Sequence, residues 1–145
     1  MSQAVTLRLS EETAEAIRRI AQREHRSISD VGARMIEEWV RQNTFAHIEF
    51  RSFHGERQAC IRGRLQVWQV IMVAQDYDMQ VEKTAQHLGL TKEQVQAALH
   101  YYEAYPKEID AAIRDNDALD YEALKRRLPN LRLFEVRREV LEGES

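Results

Sequence analysis

Thr6 and Arg8 are the residues of this 145-residue chain best placed to act on a partner. They belong to Ala4-Val5-Thr6-Leu7-Arg8-Leu9, in which apolar side chains alternate with others. A period of two puts Val5, Leu7 and Leu9 on one face of a strand and Ala4, Thr6 and Arg8 on the other. A strand this short with one apolar face does not survive alone and calls for an identical strand beside it. Two such strands make a ribbon that fits a DNA major groove, where an arginine bridges the O6 and N7 edge of guanine. Thr6 and Arg8 are therefore candidate base readers. Ser29, read as the N-cap of a later helix, is a candidate phosphate holder, because a helix N-terminus presents unpaired N–H groups. Arg51, Arg57, Arg62 and Arg64, with His47 and His54, form the most basic cluster and suit contact with backbone phosphates. Lys92, Gln96 and His100 on a further helix are secondary candidates, although Glu93 among them repels phosphate.

No catalytic spacing is present. The histidines at 25, 47, 54, 87 and 100 lack the H-x-x-x-H pattern of a metal site, and no glycine-rich phosphate loop occurs. The acidic residues fall on helix surfaces, without the strand framework that gathers carboxylates around magnesium. The expectation is no enzymatic activity, no metal and no cofactor. Cys60 is the single cysteine, which excludes a disulfide framework or a cysteine zinc cluster and reads as a small core residue.

The composition, 43% hydrophobic and 31% charged, is that of a globular protein. No apolar run approaches the roughly 20 residues that span a bilayer, and the first residues are not a signal peptide, so a cytoplasmic location is expected. The net charge of -3 does not advertise a nucleic-acid binder, but 15 of the 24 acidic residues lie after residue 75. Any DNA surface is then local to the first half. The acidic second half suits either a basic protein partner or a solvated helical surface.

The elements that must position these groups follow from caps and periodicity. Ser10 caps a helix with Glu11 and Glu12 in its first turn and a stripe of Thr13, Ala16, Ile17, Ile20 and Ala21. The spacing ends that helix near His25-Arg26-Ser27 and starts a second from Ser29, with Gly32, Met35, Ile36, Trp39 and Val40 on one stripe. Alternation over Ile48–Arg51 and Ala59–Arg62 around His54-Gly55-Glu56 predicts a hairpin over 47–62. A helix follows the bend at Gly63, with Val67, Trp68, Val70, Ile71 and Ala74 buried. A short helix carrying Val81, Ala85 and Leu88 stops at Gly89. Thr91 and Gln94 form a capping box for the next, and Pro106 starts one more. The pair around Gly89 makes a helix-turn-helix pattern.

The first 43 residues resemble the ribbon-helix-helix family of bacterial repressors and antitoxins. The likeness is carried by Val5-Thr6-Leu7-Arg8-Leu9-Ser10-Glu11, Ile17, Ile20, Ser27-Ile28-Ser29 and Met35-Ile36-Trp39-Val40. It implies an intertwined homodimer, with Ala4, Thr6 and Arg8 at bases, and Ser27, Ser29 and the backbone N–H of Val31 at a phosphate. Ala4 departs from the polar or basic residue usual there and leaves only apolar contact, for example to a thymine methyl. Gly32 costs roughly 1 kcal/mol inside a helix against alanine, which a close helix crossing in the dimer accounts for.

Residues 45–115 resemble a small bacterial family catalogued as domain of unknown function 433, akin to antitoxins encoded beside PIN-type nuclease toxins. The carrying runs are Cys60-Ile61-Arg62-Gly63, Val67-Trp68-Gln69-Val70, Val81-Glu82-Lys83-Thr84-Ala85, Leu88-Gly89-Leu90-Thr91, Gln94 to Leu99, Tyr101-Tyr102 and Tyr105 to Asp110. After the glycine, Arg64-Leu65-Gln66 is one residue shorter than the family's run and lacks its proline. Residues 116–145 fall outside both resemblances. Tyr121, Leu124 and Leu128 suit a short helix stopped by Pro129, and Leu131, Leu133, Phe134 and Val136 follow; this segment either packs back on the domain or orders on a partner.

The expected architecture is mainly α with short β: a ribbon-helix-helix dimer over 1–43, a β-hairpin plus helix-turn-helix bundle over 45–115, and a tail over 116–145. The expected function is that of an antitoxin binding its own double-stranded operator and silencing a PIN-type ribonuclease toxin through the second domain and tail. A homodimeric repressor without a toxin is the alternative, and an adaptor that never touches DNA is a third reading.

Overall fold

Ser10 and Ser27 have the extended backbone a helix cap needs, and each places its hydroxyl against the third N–H ahead. In the computed structural model, which describes the backbone of residues 2–127 and the side chains of residues 2–117, Ser10 Oγ accepts from Thr13 N at 3.2 Å and opens α1 (Glu11–Glu24). α1 ends at His25 in the left-handed region, where the N–H of Arg26 reaches Ala21 O at 2.9 Å and satisfies a terminal carbonyl. The second cap is Ser27 rather than Ser29. Its Oγ accepts from Asp30 N at 3.0 Å, so α2 (Ile28–Thr44) begins two residues sooner than the sequence suggests and Ser29 lies inside its first turn.

The hairpin forms from β1 (Ile48–Phe53) and β2 (Glu56–Ile61), paired antiparallel from Ile48 opposite Ile61 to Phe53 opposite Glu56. Its turn is the two residues His54 and Gly55, both at positive φ, which matches the twist of the strands; Glu56 already belongs to β2. Gly63, at φ +71°, makes the bend into α3 (Val67–Asp76). At the start of α3, Gln69 Oε1 accepts from Gln66 N at 3.0 Å and secures the first turn.

α4 (Val81–Leu88) stops at Gly89 in the left-handed region, and the Thr91–Gln94 capping box opens α5 (Lys92–Ala104). Pro106 begins α6 (Pro106–Arg127). That helix runs through residue 116 without a break, so the boundary drawn after 115 falls inside an element. Tyr121 and Leu124 lie on its last turns, whereas Leu128, Leu131, Leu133, Phe134 and Val136 lie outside the described residues.

The core sits between the hairpin and α3–α6. Ile48 and Ile61 from the strands meet Val67, Val70 and Ile71 of α3, Val95, Ala98 and Tyr101 of α5, and Ile109 of α6, all essentially inaccessible. Cys60 is buried there as expected, and burial pushes its thiol pKa up. The chain is thus mainly helical with one two-stranded antiparallel sheet among the described residues. No described helix is long and apolar enough to cross a membrane.

α2 has two working faces. One holds Val31 and Glu38 against the rest of the chain. The other carries Ile28, Ile36, Trp39 and Val40, which are exposed. Residues 2–9 are exposed throughout and take no regular secondary structure. The strand expected over Val5–Leu9 is absent from the single chain because a strand exists only by pairing, and no described segment pairs with it.

Candidate nucleic-acid interface

Ala4, Thr6 and Arg8 are exposed, and so are Val5, Leu7 and Leu9. Val5 is 74% accessible, so the single chain does not yet distinguish an inner from an outer face. α2 carries a second exposed apolar face. On the helical wheel Ile28, Gly32, Ile36, Trp39 and Val40 fall within an arc of about 120°. Trp39 is 66% accessible and Val40 50%. A β-carbon built on Gly32, within this arc, meets nothing within 4 Å. Seven large apolar side chains, three on residues 5–9 and four on one face of α2, therefore stand in water in one copy of the chain. Exposed apolar side chains on one helix face, as on α2, are uncommon on a monomeric surface.

The phosphate candidates divide. Ser27 is occupied as the cap of α2. The Val31 N–H is not a free donor: it is bonded inside the helix to Ser27 O at 3.1 Å, and the residue is fully buried. Its position is the fourth of α2, where the first intrahelical bond is made. The N–H groups of Ile28 and Ser29, one turn nearer the end, are the unpaired ones, and both residues are exposed. Just before this end, Arg26 is exposed.

The basic cluster does not stand free as a patch. Arg57 Nε donates to Glu38 Oε1 at 2.6 Å, and its Nη2 reaches Phe50 O at 3.1 Å. Arg51 pairs with Glu49 at 3.2 Å and bonds the carbonyl of Arg64. Arg64 Nη2 donates to Gly89 O at 3.1 Å, capping the end of α4. Arg62 and Arg64 are both exposed and form no ion pair among the described residues, but Arg64 is held by the Leu88 and Gly89 carbonyls. The side chains that read as phosphate contacts thus bind the hairpin to α2 and to α4, because carbonyls and carboxylates lie within reach once the chain folds. Lys92 is drawn likewise to Glu82 at 2.8 Å, which raises its pKa by the hydrogen bond and lowers that of Glu82. Gln96 stays exposed beside His100 and His47, around a shallow hollow.

Sequence reasoning missed the groups that join the first two helices to the rest. Arg41 of α2 donates to Glu108 Oε1 at 2.9 Å and to the Tyr101 hydroxyl at 2.9 Å, and lies 3.8 Å above the Tyr105 ring. The Tyr101 hydroxyl donates to Glu108 Oε2 at 2.6 Å. Burial, then the bond to Glu108, pushes the Tyr101 pKa far up. Burial disfavours the Arg41 charge, but Glu108 and Tyr101 outweigh it and its pKa rises. Phe45 packs edge-on against Tyr101 and Tyr105 at 5.4 and 5.9 Å. On the other side, Arg34 grips Glu24 of α1 at 2.7 Å, and that hydrogen bond holds the Glu24 carboxyl below its usual range. The only sequence signal for these contacts was the placing of Glu38 and Arg41 off the apolar stripe of α2, which does not identify their partners.

Among the described residues no group of three or more histidine, cysteine, aspartate or glutamate side chains converges to hold a metal ion. No protein-family model, no curated protein and no solved structure matches the chain.

Proposed function

We propose that the chain is a homodimeric DNA-binding regulator of the antitoxin type, repressing its own operon and neutralising a PIN-type ribonuclease. The observation that carries the DNA-binding part is the unmet apolar surface of residues 5–9 and α2. If residues 5–9 of two copies pair as antiparallel strands, Val5, Leu7 and Leu9 turn onto the exposed faces of the two α2 helices. Ala4, Thr6 and Arg8 then point away together, in a ribbon of groove width. The free N–H groups of Ile28 and Ser29 start a 17-residue helix whose dipole favours an anion, suiting a phosphate flanking the ribbon.

The toxin-binding part rests on the likeness of residues 45–115 to antitoxin domains and on the apolar residues after 120. Co-purification with the product of the adjacent gene tests it; a chain that binds its operator but not that protein is a repressor without a toxin.

The test of DNA binding is Arg8→Ala, assayed by gel shift on the DNA upstream of the gene across a salt series. Loss of one bidentate guanine contact should weaken specific binding by about 1–3 kcal/mol, roughly 5- to 140-fold, and relax base preference. Sedimentation should show an unchanged dimer. An affinity within about twofold of the parent removes the ribbon as reader.

A further inference from the structure

A groove of ≈ 900 Å³ runs between the hairpin tip, the start of α3 and the middle of α6. Phe53, Trp68 and Ala112 give it apolar walls, and Glu56 and Asp115 contribute negative charge. The Trp68 Nε1–H is already bonded to Gln66 Oε1 at 2.5 Å, so the indole offers apolar surface and needs no further polar partner.

We propose that this groove is the docking site of the chain's own segment Leu131–Val136. Three features of the molecule point to that occupant. Reach is the first. α6 lines the groove at Ala112 and Asn116 and continues to Arg127, about 16 Å further along at 1.5 Å per residue. Pro129 cannot prolong that helix. Five or six residues on an extended return path cover about 16–20 Å, which brings Leu133 and Phe134 back to the groove. Chemistry is the second. Leu131, Leu133, Phe134 and Val136 are four apolar side chains within six residues, ahead of the shorter apolar pair Val140-Leu141. Charge is the third. Arg132 within the segment and Arg137 just after it outnumber Glu135 and suit a rim that carries Glu56 and Asp115. The docking is independent of DNA binding, and it competes with any toxin that takes the same apolar residues.

The experiment uses the full chain carrying Trp39→Phe, which leaves Trp68 as its one tryptophan. Leu133→Asp with Phe134→Asp is compared with that parent by acrylamide quenching of Trp68. Because pockets of this kind bury most of their occupant and shield their walls, the quenching constant should rise roughly twofold, with a red shift in emission. The reciprocal variant Ala112→Arg places bulk and positive charge in the groove and should speed tryptic cleavage after Arg132. Both effects should be independent of protein concentration. Unchanged quenching and unchanged cleavage overturn the proposal. Effects that vanish on dilution overturn it too, because the segment would then come from a second copy.

Discussion

Gly32→Ala separates the single chain from the pair. In the single chain the added methyl group has open space, since nothing lies within 4 Å of a β-carbon at that position. Its effect there is helix propensity alone, a gain of about 1 kcal/mol. For a chain of this size that raises the melting temperature by about 2–4 °C. In the proposed dimer the sign reverses. Gly32 falls within the arc shared by Ile28, Ile36, Trp39 and Val40, the surface assigned to the twin helix. A methyl group forced into a close crossing costs typically 1–3 kcal/mol, or about tenfold in the dissociation constant for each 1.4 kcal/mol. Sedimentation equilibrium gives that constant, and thermal melts at low and high protein concentration give the two stabilities. The expected outcome is a higher melting temperature when dilute and a weaker dimer when concentrated. A variant stabilised equally at all concentrations, with its dissociation constant unchanged, would refute the placing of Gly32 at a crossing.

Two more perturbations probe the joint between α2 and the rest of the chain. Glu38→Ala leaves Arg57 without its carboxylate; because the Arg57 side chain remains 31% exposed, the expected loss is about 1–3 kcal/mol, below that of a fully buried pair. Urea unfolding measures it, and an unchanged midpoint would show that the pair anchors nothing. Tyr101→Phe acts on the pH profile. A free tyrosine ionises near 10, whereas Tyr101 in the folded chain keeps its proton beyond that. Its stabilisation is therefore complete below about pH 10 and lost as pH rises further, at up to about 1.4 kcal/mol per pH unit. Urea midpoints taken on either side of that pH should fall less steeply in the variant, and parallel slopes would contradict the burial of that hydroxyl.

What was legible in the sequence was local. Ser10, Thr91 with Gln94, Gly89 and Pro106 bound their helices because a cap is decided by a few neighbouring residues. The hairpin was legible because alternation and the His54-Gly55 turn agree. The shift of the second cap from Ser29 to Ser27 reflects two serines of equal chemistry two residues apart, between which only backbone conformation chooses. The arginines were misleading for a different reason. Arg57 meets Glu38 across 19 residues of sequence and Arg64 meets the Gly89 carbonyl across 25. Periodicity carries no information about pairings at that range, so groups committed internally read as a free basic surface. The apolar stripe of α2 was visible in the sequence, but its exposure in one copy was not, because a periodic pattern does not say whose core it enters.

α2 is a shaft keyed at both sides. Glu38 and Arg41 lock its angular position to the hairpin and to α6, while its apolar arc projects from the opposite side. Each residue inserted between Gly32 and Glu38 would turn Ile28 and Gly32 by about 100° away from Trp39, Val40 and the locked side. The helix therefore fixes the phase between whatever grips the apolar arc and everything that follows Thr44, and a change in its length cannot be absorbed without abandoning one engagement.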